Sequence, residues 1–322
     1  MATAAVAVHT LNTFEDLSGT STPNSSDNPY DGLIDGSHND PAQIQARYST
    51  HRATRNAQQK TKLLAPDFSG VTLDPILQRL SDPTIEPGYT DPRHCFVFWA
   101  RPPQKVKALI ADVQQKLLAV APNLWLMPID CLHMTALEIT HSRTDAEIKS
   151  LVETMRPSIP TIVDYTLTHR ARLIKPMIGF DAQALALSFV PAAGEALPPG
   201  RKKADDKYTY HHLRRDLYTL SKERLKVDSR YVVPSSHLTI GRFITAEDLS
   251  SNGKSDPEKM KQLIDKIEEI NAWLQAEYWP KEDDTAIKDG GEWIVGQEKG
   301  LDCREGTLWY GAGKTVQLGR GF

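Results

Sequence analysis

Two short strings in this chain carry the parts for acid–base chemistry on a phosphate: His133-Met134-Thr135-Ala136 and His237-Leu238-Thr239-Ile240. Each is a histidine, an apolar residue, a threonine and a second apolar residue, and the histidines lie 237 − 133 = 104 positions apart. Imidazole titrates near neutrality, so it can take a proton from one oxygen and give one to another. A neighbouring hydroxyl can donate to oxygens on which negative charge grows. Among 10 histidines a single His-x-Thr/Ser string is expected by accident; two copies with matched flanks are not. The pattern predicts His133 and His237 as an acid–base pair, with Thr135 and Thr239 holding phosphate. It leaves open which imidazole is the acid.

Both strings suit a strand, where side chains alternate between faces. His133 and Thr135 then share one face, as do His237 and Thr239, while Met134, Ala136, Leu238 and Ile240 turn inward. Around the first string, Cys95–Ala100 reads as an apolar strand. Pro102 and Pro103 stop it and suit the start of a helix, and Val106, Leu109, Ile110, Val113 and Leu117 mark that helix's apolar face. Ile148, Leu151, Val152 and Met155 mark the next helix. Strands around 170–176 and 184–190 follow, with Gly179 and Asp181 at the turn. Residues 191–208 read as a solvated loop between two halves.

The order then repeats: a helix at Leu213, Leu217 and Leu220, the second string within 231–243, a helix from Met260 to Leu274, and a strand pair at 293–295 and 307–310. Two halves with the same order imply an α+β fold, bilobed and duplicated about a pseudo-twofold axis. Two antiparallel sheets would face a central cleft with helices on the outside and the motif strands side by side. Residues 1–62 read as an N-terminal arm, partly disordered, because 1–40 lack an apolar period and 41–62 offer a poor core face for a helix. Residues 63–93 read as an irregular and helical extension, with helical spacing at Leu73, Ile76, Leu77 and Leu80. Residues 94–322 form the two-lobed domain, its halves meeting near 191–208.

The 322 residues have a formal net charge of −3, against the basic excess of proteins that wrap long nucleic acid. The three cysteines, Cys95, Cys131 and Cys303, are far apart, which disfavours a disulfide framework or a thiolate zinc site. Neither a signal peptide, a presequence nor a membrane-spanning stretch is read, so the expected place is cytoplasm or nucleus, as a monomer without metal or cofactor.

Other candidates are weighed against ordinary structural roles. Arg242 could reach a phosphate, but alternation puts it opposite His237 unless a bulge intervenes. Arg172 and Lys175 sit on a strand expected near the cleft; a solvated face is the competing reading. Trp99, Tyr231, Trp309 and Tyr310 could stack a base or simply fill the core. Adjacent His211 and His212 diverge on a helix and make a poor metal pair. His141 and His169 read as surface residues, Arg201-Lys202-Lys203 as a solvated loop, and Glu138 as an outer-face residue out of phase with His133.

The paired strings resemble the signature of the two-histidine phosphoesterase superfamily, two His-apolar-Thr/Ser-apolar strings about a hundred residues apart. Arg242 after the second string (HLTIGR) resembles bacterial 2′-5′ RNA ligase-like members, and WIVGQEKGLDCREGTLWYG is similar to that fold's closing strand pair. Coverage is about residues 94–322, and the subgroup most resembled is fungal proteins labelled RNA ligase or cyclic nucleotide phosphodiesterase. The resemblance implies hydrolysis of 2′,3′-cyclic phosphates on nucleotides or RNA ends by metal-independent His/His catalysis. Alternatives are 2′-5′ RNA ligation or cleavage, 3′-5′ RNA trimming, and RNA-end binding without turnover. The implied partner is a nucleotide or RNA terminus carrying a cyclic phosphate, and no membrane.

Overall fold

The computed structural model describes residues 15–20, 26–283 and 285–322. The N-terminal part supplies helices α1 (Asp31–Gly36), α2 (Pro41–Leu63) and α3 (Pro75–Ser81). Then come β1 (His94–Ala100), α4 (Gln104–Leu118), β2 (Trp125–Leu126), β3 (Met134–Arg143), α5 (Asp145–Met155) and α6 (Ile159–Val163). These are followed by β4 (Arg172–Phe180), β5 (Ala184–Pro191), α7 (Tyr210–Lys222), β6 (Ser236–Arg242) and a small hairpin, β7 (Ser250–Ser251) with β8 (Lys254–Ser255). The chain closes with α8 (Pro257–Tyr278), β9 (Glu292–Ile294), β10 (Lys299–Gly306) and β11 (Lys314–Arg320).

The fold is α+β. One sheet has the order β11-β10-β1-β3, a second β2-β6-β5-β4-β9, and every pairing in both is antiparallel. β1 shows why its sequence makes a strand with two different faces. Phe96, Phe98 and Ala100 enter the main core, whereas Cys95, Val97 and Trp99 form a separate small cluster with Leu308 and Trp309. α4 follows its periodicity: Val106, Leu109, Ile110, Val113 and Leu117 are all buried. Thr144 and Glu147 cap α5 reciprocally, satisfying donors that the first turn leaves open. No helix among the described residues is long and apolar enough to cross a membrane.

Three expectations are corrected. The chain does not divide near 191–208, because each sheet draws strands from both sides of that segment. β1 is buried from Cys95 to Ala100, so its backbone donors and acceptors need a partner at each edge; β3 pairs with one, and the C-terminal β10 returns to pair with the other. The expected pair at 293–295 and 307–310 does not form. β9 pairs with β4, and 307–310 lies in the connection between β10 and β11. That connection needs glycine at 311, where φ is +83° and an added Cβ would stand 2.4 Å from that of Cys131. Segment 191–208 is also not simply solvated: Asp206, 1% exposed, pairs there with Arg172 and Arg201.

The N-terminal expectation also changes. α2 buries Ile44, Tyr48 and Leu63 against the body, packing on β4 and β5. Its face was hard to recognise because Gln45, His51 and Arg52 are buried beside those residues. Each finds a partner: Gln45 donates to the Pro191 carbonyl, Arg52 to those of Lys175 and Ser188, and His51 accepts from the Leu17 amide. The arm reading for 1–14 and 21–25 lies outside the described residues.

Candidate functional site

One pocket, about 530 Å³ including its open mouth, is lined by residues of both sheets. β1 and β3 bring Cys95, Val97, Trp99, Thr135 and Glu138, with His133 just ahead of β3; β6 brings His237, Thr239 and Arg242. Arg230, Tyr231, Leu308 and Trp309 complete the wall from connecting segments. The two histidines and two threonines named by the motif strings therefore meet at one surface. Met134, Ala136, Leu238 and Ile240, the alternate residues, are at most 1% exposed behind it. The Thr135 and Thr239 hydroxyls have no hydrogen-bond partner among the described residues, so both are available to a ligand.

Both motif strands carry a bulge at the same place. In β3, Thr135 pairs with Trp99 and Leu137 with Phe98, leaving Ala136 as an extra residue. In β6, Thr239 pairs with Ala186 and Gly241 with Leu185, leaving Ile240 as the extra one. Each extra residue is third after the histidine and reverses the alternation beyond it. The fifth residue after each histidine, Glu138 or Arg242, is thereby returned to the pocket face. Arg242 meets the condition set for it. The outer-face reading of Glu138 is corrected: it is 2% exposed and receives Arg230 at both oxygens, from Nε at 3.0 Å and the terminal nitrogen at 2.5 Å.

The imidazoles are held from the residue two before each. The Nδ1 of His133 lies 2.8 Å from the Cys131 carbonyl, which can only accept, so Nδ1 carries a proton and Nε2 of the neutral ring is free to accept. The Nδ1 of His237 lies 2.8 Å from the Ser235 hydroxyl, which can donate or accept. When Ser235 donates, Nε2 of His237 carries the proton. The His133 ring also stacks on Trp99, centroids 3.7 Å apart and planes 16° from parallel, while Tyr231 stands 5.8 Å from His237.

Electrostatics favour neutral rings in the free protein. Burial pushes His133 down to about 3, with the positive charges of Arg101 and Arg304 acting in the same direction. Arg101 and Arg304 lie over the Trp99 ring at 4.7 and 5.0 Å. Burial likewise pushes His237 down to about 4, with Arg55 and Arg214 adding to it. The charged residues of the wall are Arg230 and Arg242 against Glu138, which leaves one net positive charge.

The remaining sequence candidates separate clearly. Trp99, Tyr231 and Trp309 line the pocket; Tyr310 does not. The Tyr310 hydroxyl donates to Asp74 at 2.7 Å and accepts from Arg93 at 3.1 Å, and Asp74 stands 3.5 Å from Arg242, so Tyr310 braces the site from behind. Arg172 and Lys175 lie elsewhere. Arg172 is 1% exposed and spent on Asp206 and Glu292, which excludes the solvated-face reading as well as the substrate one. Lys175 binds Gln45 and Glu195. Arg230 and Ser235 were missed. Ser235 has a local signal, its offset of two from His237, but Arg230 is 92 residues from its Glu138 partner and has none. Among the described residues no group of three or more His, Cys, Asp or Glu could hold a metal ion.

No protein-family model matches the chain, and no curated protein matches it. A crystal structure of a conserved protein of unknown function from Agrobacterium tumefaciens is similar in part, with a TM-score of 0.45 and 12% sequence identity over 72% of this chain and 88% of that one.

Proposed function

We propose that this pocket opens 2′,3′-cyclic phosphodiesters on nucleotides or RNA ends, as a two-histidine phosphoesterase does. The carrying observation is the meeting of His133, Thr135, His237 and Thr239 on one pocket wall. A phosphodiester bears one negative charge, and Arg242 stands on the wall as a cation that could meet it, held from behind by Asp74 at 3.5 Å. We also propose that the two motif-bearing sheets, which exchange strands across segment 191–208, derive from a duplication and sit about a pseudo-twofold axis. The matching bulges, the charged residue five places after each histidine and the anchor two places before each support that reading.

The asymmetry of the anchors supports one order of proton transfers, with His133 as base and His237 as acid. Water attacks phosphorus while Nε2 of His133 accepts its proton. The bond from phosphorus to one ribose oxygen breaks, and that oxygen takes the proton from Nε2 of His237. The products are a phosphomonoester and a free hydroxyl. Arrival of the anionic phosphate offsets the burial that keeps His237 neutral, so the imidazole can be protonated in the complex. Thr135 and Thr239 donate to the non-bridging oxygens as charge builds there.

The test is incubation of the protein with 2′,3′-cyclic mononucleotides in EDTA, followed by separation of products. Conversion to a phosphomonoester is expected. Turnover confined to oligonucleotides would favour ligation, 2′-5′ cleavage or 3′-5′ trimming instead, and tight binding without turnover would favour an end-binding role.

A further inference from the structure

Beneath the pocket lies a buried knot of aromatic and basic side chains from α7 and the N-terminal helices. Arg214 on α7 is 1% exposed, yet no carboxylate pairs with it among the described residues. A buried cation without counter-charge is costly, so its surroundings must compensate. Its guanidinium lies 4.6 Å from the Tyr30 ring and 5.9 Å from that of Tyr210. It donates to the Val233 carbonyl at 2.7 Å and to the Tyr30 hydroxyl at 3.3 Å.

Tyr30, fully buried just before α1, passes that contact on, its hydroxyl donating to the Tyr231 carbonyl at 3.1 Å. Its own carbonyl accepts from Nε2 of His211 at 3.0 Å, and Nδ1 of His211 accepts from the Tyr48 hydroxyl of α2 at 2.9 Å. The knot thus grips two carbonyls in the segment leading to β6. The Val233 carbonyl also accepts from the Ser235 amide at 2.8 Å, and the Ser235 hydroxyl holds Nδ1 of His237. A continuous path of hydrogen bonds runs from Tyr30 and Arg214 through Val233 and Ser235 to the second imidazole.

We propose that Tyr30 and Arg214 are positioning residues for His237, through which the N-terminal segment completes the site by fixing the carbonyls of Tyr231 and Val233. The inference rests on the reading above that His237 moves a proton. It gives the N-terminal helices a task in the pocket, although none of their residues lines it. The Arg214 charge also opposes protonation of the empty site's His237, after burial and alongside Arg55.

The test uses the full chain with Tyr30→Phe, which keeps the ring and removes the hydroxyl, and Arg214→Lys, which keeps the charge and removes the fork. Three readouts are taken: kcat and KM on a 2′,3′-cyclic mononucleotide, the thermal midpoint, and the His237 and His133 imidazole NMR signals with and without inorganic phosphate. Tyr30→Phe is expected to lower kcat about tenfold, the worth of one neutral hydrogen bond, with KM within twofold. The His237 signals move and the His133 signals stay. Unchanged kcat and unchanged His237 signals, with or without a lower thermal midpoint, would overturn the proposal and leave these residues a structural role alone. If the unmodified protein turns over no cyclic phosphate, the proposed function fails, and the imidazole signals still decide the positioning role.

Discussion

If the proposed reaction is the right one, replacing His133 by Ala is expected to lower the rate of cyclic phosphate opening by about 10²–10⁴-fold, and replacing His237 to do the same. In the proposed reaction each ring has a separate proton to move, yet both act in one displacement, so the double variant is expected to cost little more than the worse single one. Neither change should unfold the protein. Both rings stand at the pocket wall, and the core contacts of each strand are made by Met134, Ala136, Leu238 and Ile240. Circular dichroism and the thermal midpoint check that point, and product analysis over time measures the rate. Loss of less than tenfold in either variant would remove that histidine from the reaction. His211→Asn is the contrasting change. That imidazole is fully used by Tyr48 and Tyr30, so its loss acts on stability and on the path to His237 rather than on the reacting atoms.

Acidification from pH 6.5 to pH 5 should remove several kcal/mol of folding stability. Burial pushes His133 and His211 down to about 3, and His237 and His212 down to about 4, each from 6.5. Each folded-state value lies below the unfolded one, so the unfolded chain binds more protons as pH falls. The stability these neutral rings support is complete well above pH 6.5 and is lost on descending through it, toward pH 4 for His212 and His237 and toward pH 3 for His133 and His211. At pH 5, 1.5 units below the unfolded value, the loss is on the order of 1–2 kcal/mol for each of the enclosed rings His211 and His212, and smaller for His133 and His237 at the open pocket wall, set against a total of about 5–15 kcal/mol for a typical protein. The hydrogen bonds explain why His211 and His212 resist protonation. Nδ1 of His212 accepts from the Thr209 amide, which can only donate, so a proton there breaks a buried bond; Nδ1 of His211 accepts from the Tyr48 hydroxyl, and a proton there forces that hydroxyl to turn and accept in a fully enclosed site. Paired carboxylates such as Glu195, held down to about 2, respond only at lower pH. Urea unfolding at pH 7, 6 and 5 measures the slope, and a flat result over that range would contradict the neutral, buried state of these rings.

The legible parts of this protein were those whose signal is local. β1 and α4 follow directly from apolar runs and helical spacing, and the motif strands from alternation around two strings. What escaped depended on contacts distant in sequence or on a single extra residue. Nothing in Ala136 or Ile240 announces a bulge, yet each decides whether Glu138 or Arg242 faces the pocket or the core. Strand β10 escaped the reading of the C-terminal pair because it is mixed in character: Asp302, Arg304 and Glu305 are buried there beside Leu301 and Cys303. Asp302 pairs with Arg101 and Glu305 with Lys314, so this strand carries charges that a search for apolar runs passes over. α2 was obscured in the same way by buried Gln45, His51 and Arg52. Arg172 failed as a substrate residue because its counter-charge, Asp206, lies in a segment that reads as a polar loop.

In the proposed reaction His133 and His237 address one phosphorus atom from opposite sides. A crystal structure of the protein with a nucleoside 2′,3′-cyclic vanadate tests it most directly, because five-coordinate vanadium imitates phosphorus at the point of displacement. Vanadium is expected in this pocket, with Nε2 of each histidine within hydrogen-bond reach of opposite apical oxygens and the Thr135 and Thr239 hydroxyls on equatorial oxygens. Vanadate seated elsewhere, or touching one imidazole while the other points away, would contradict it.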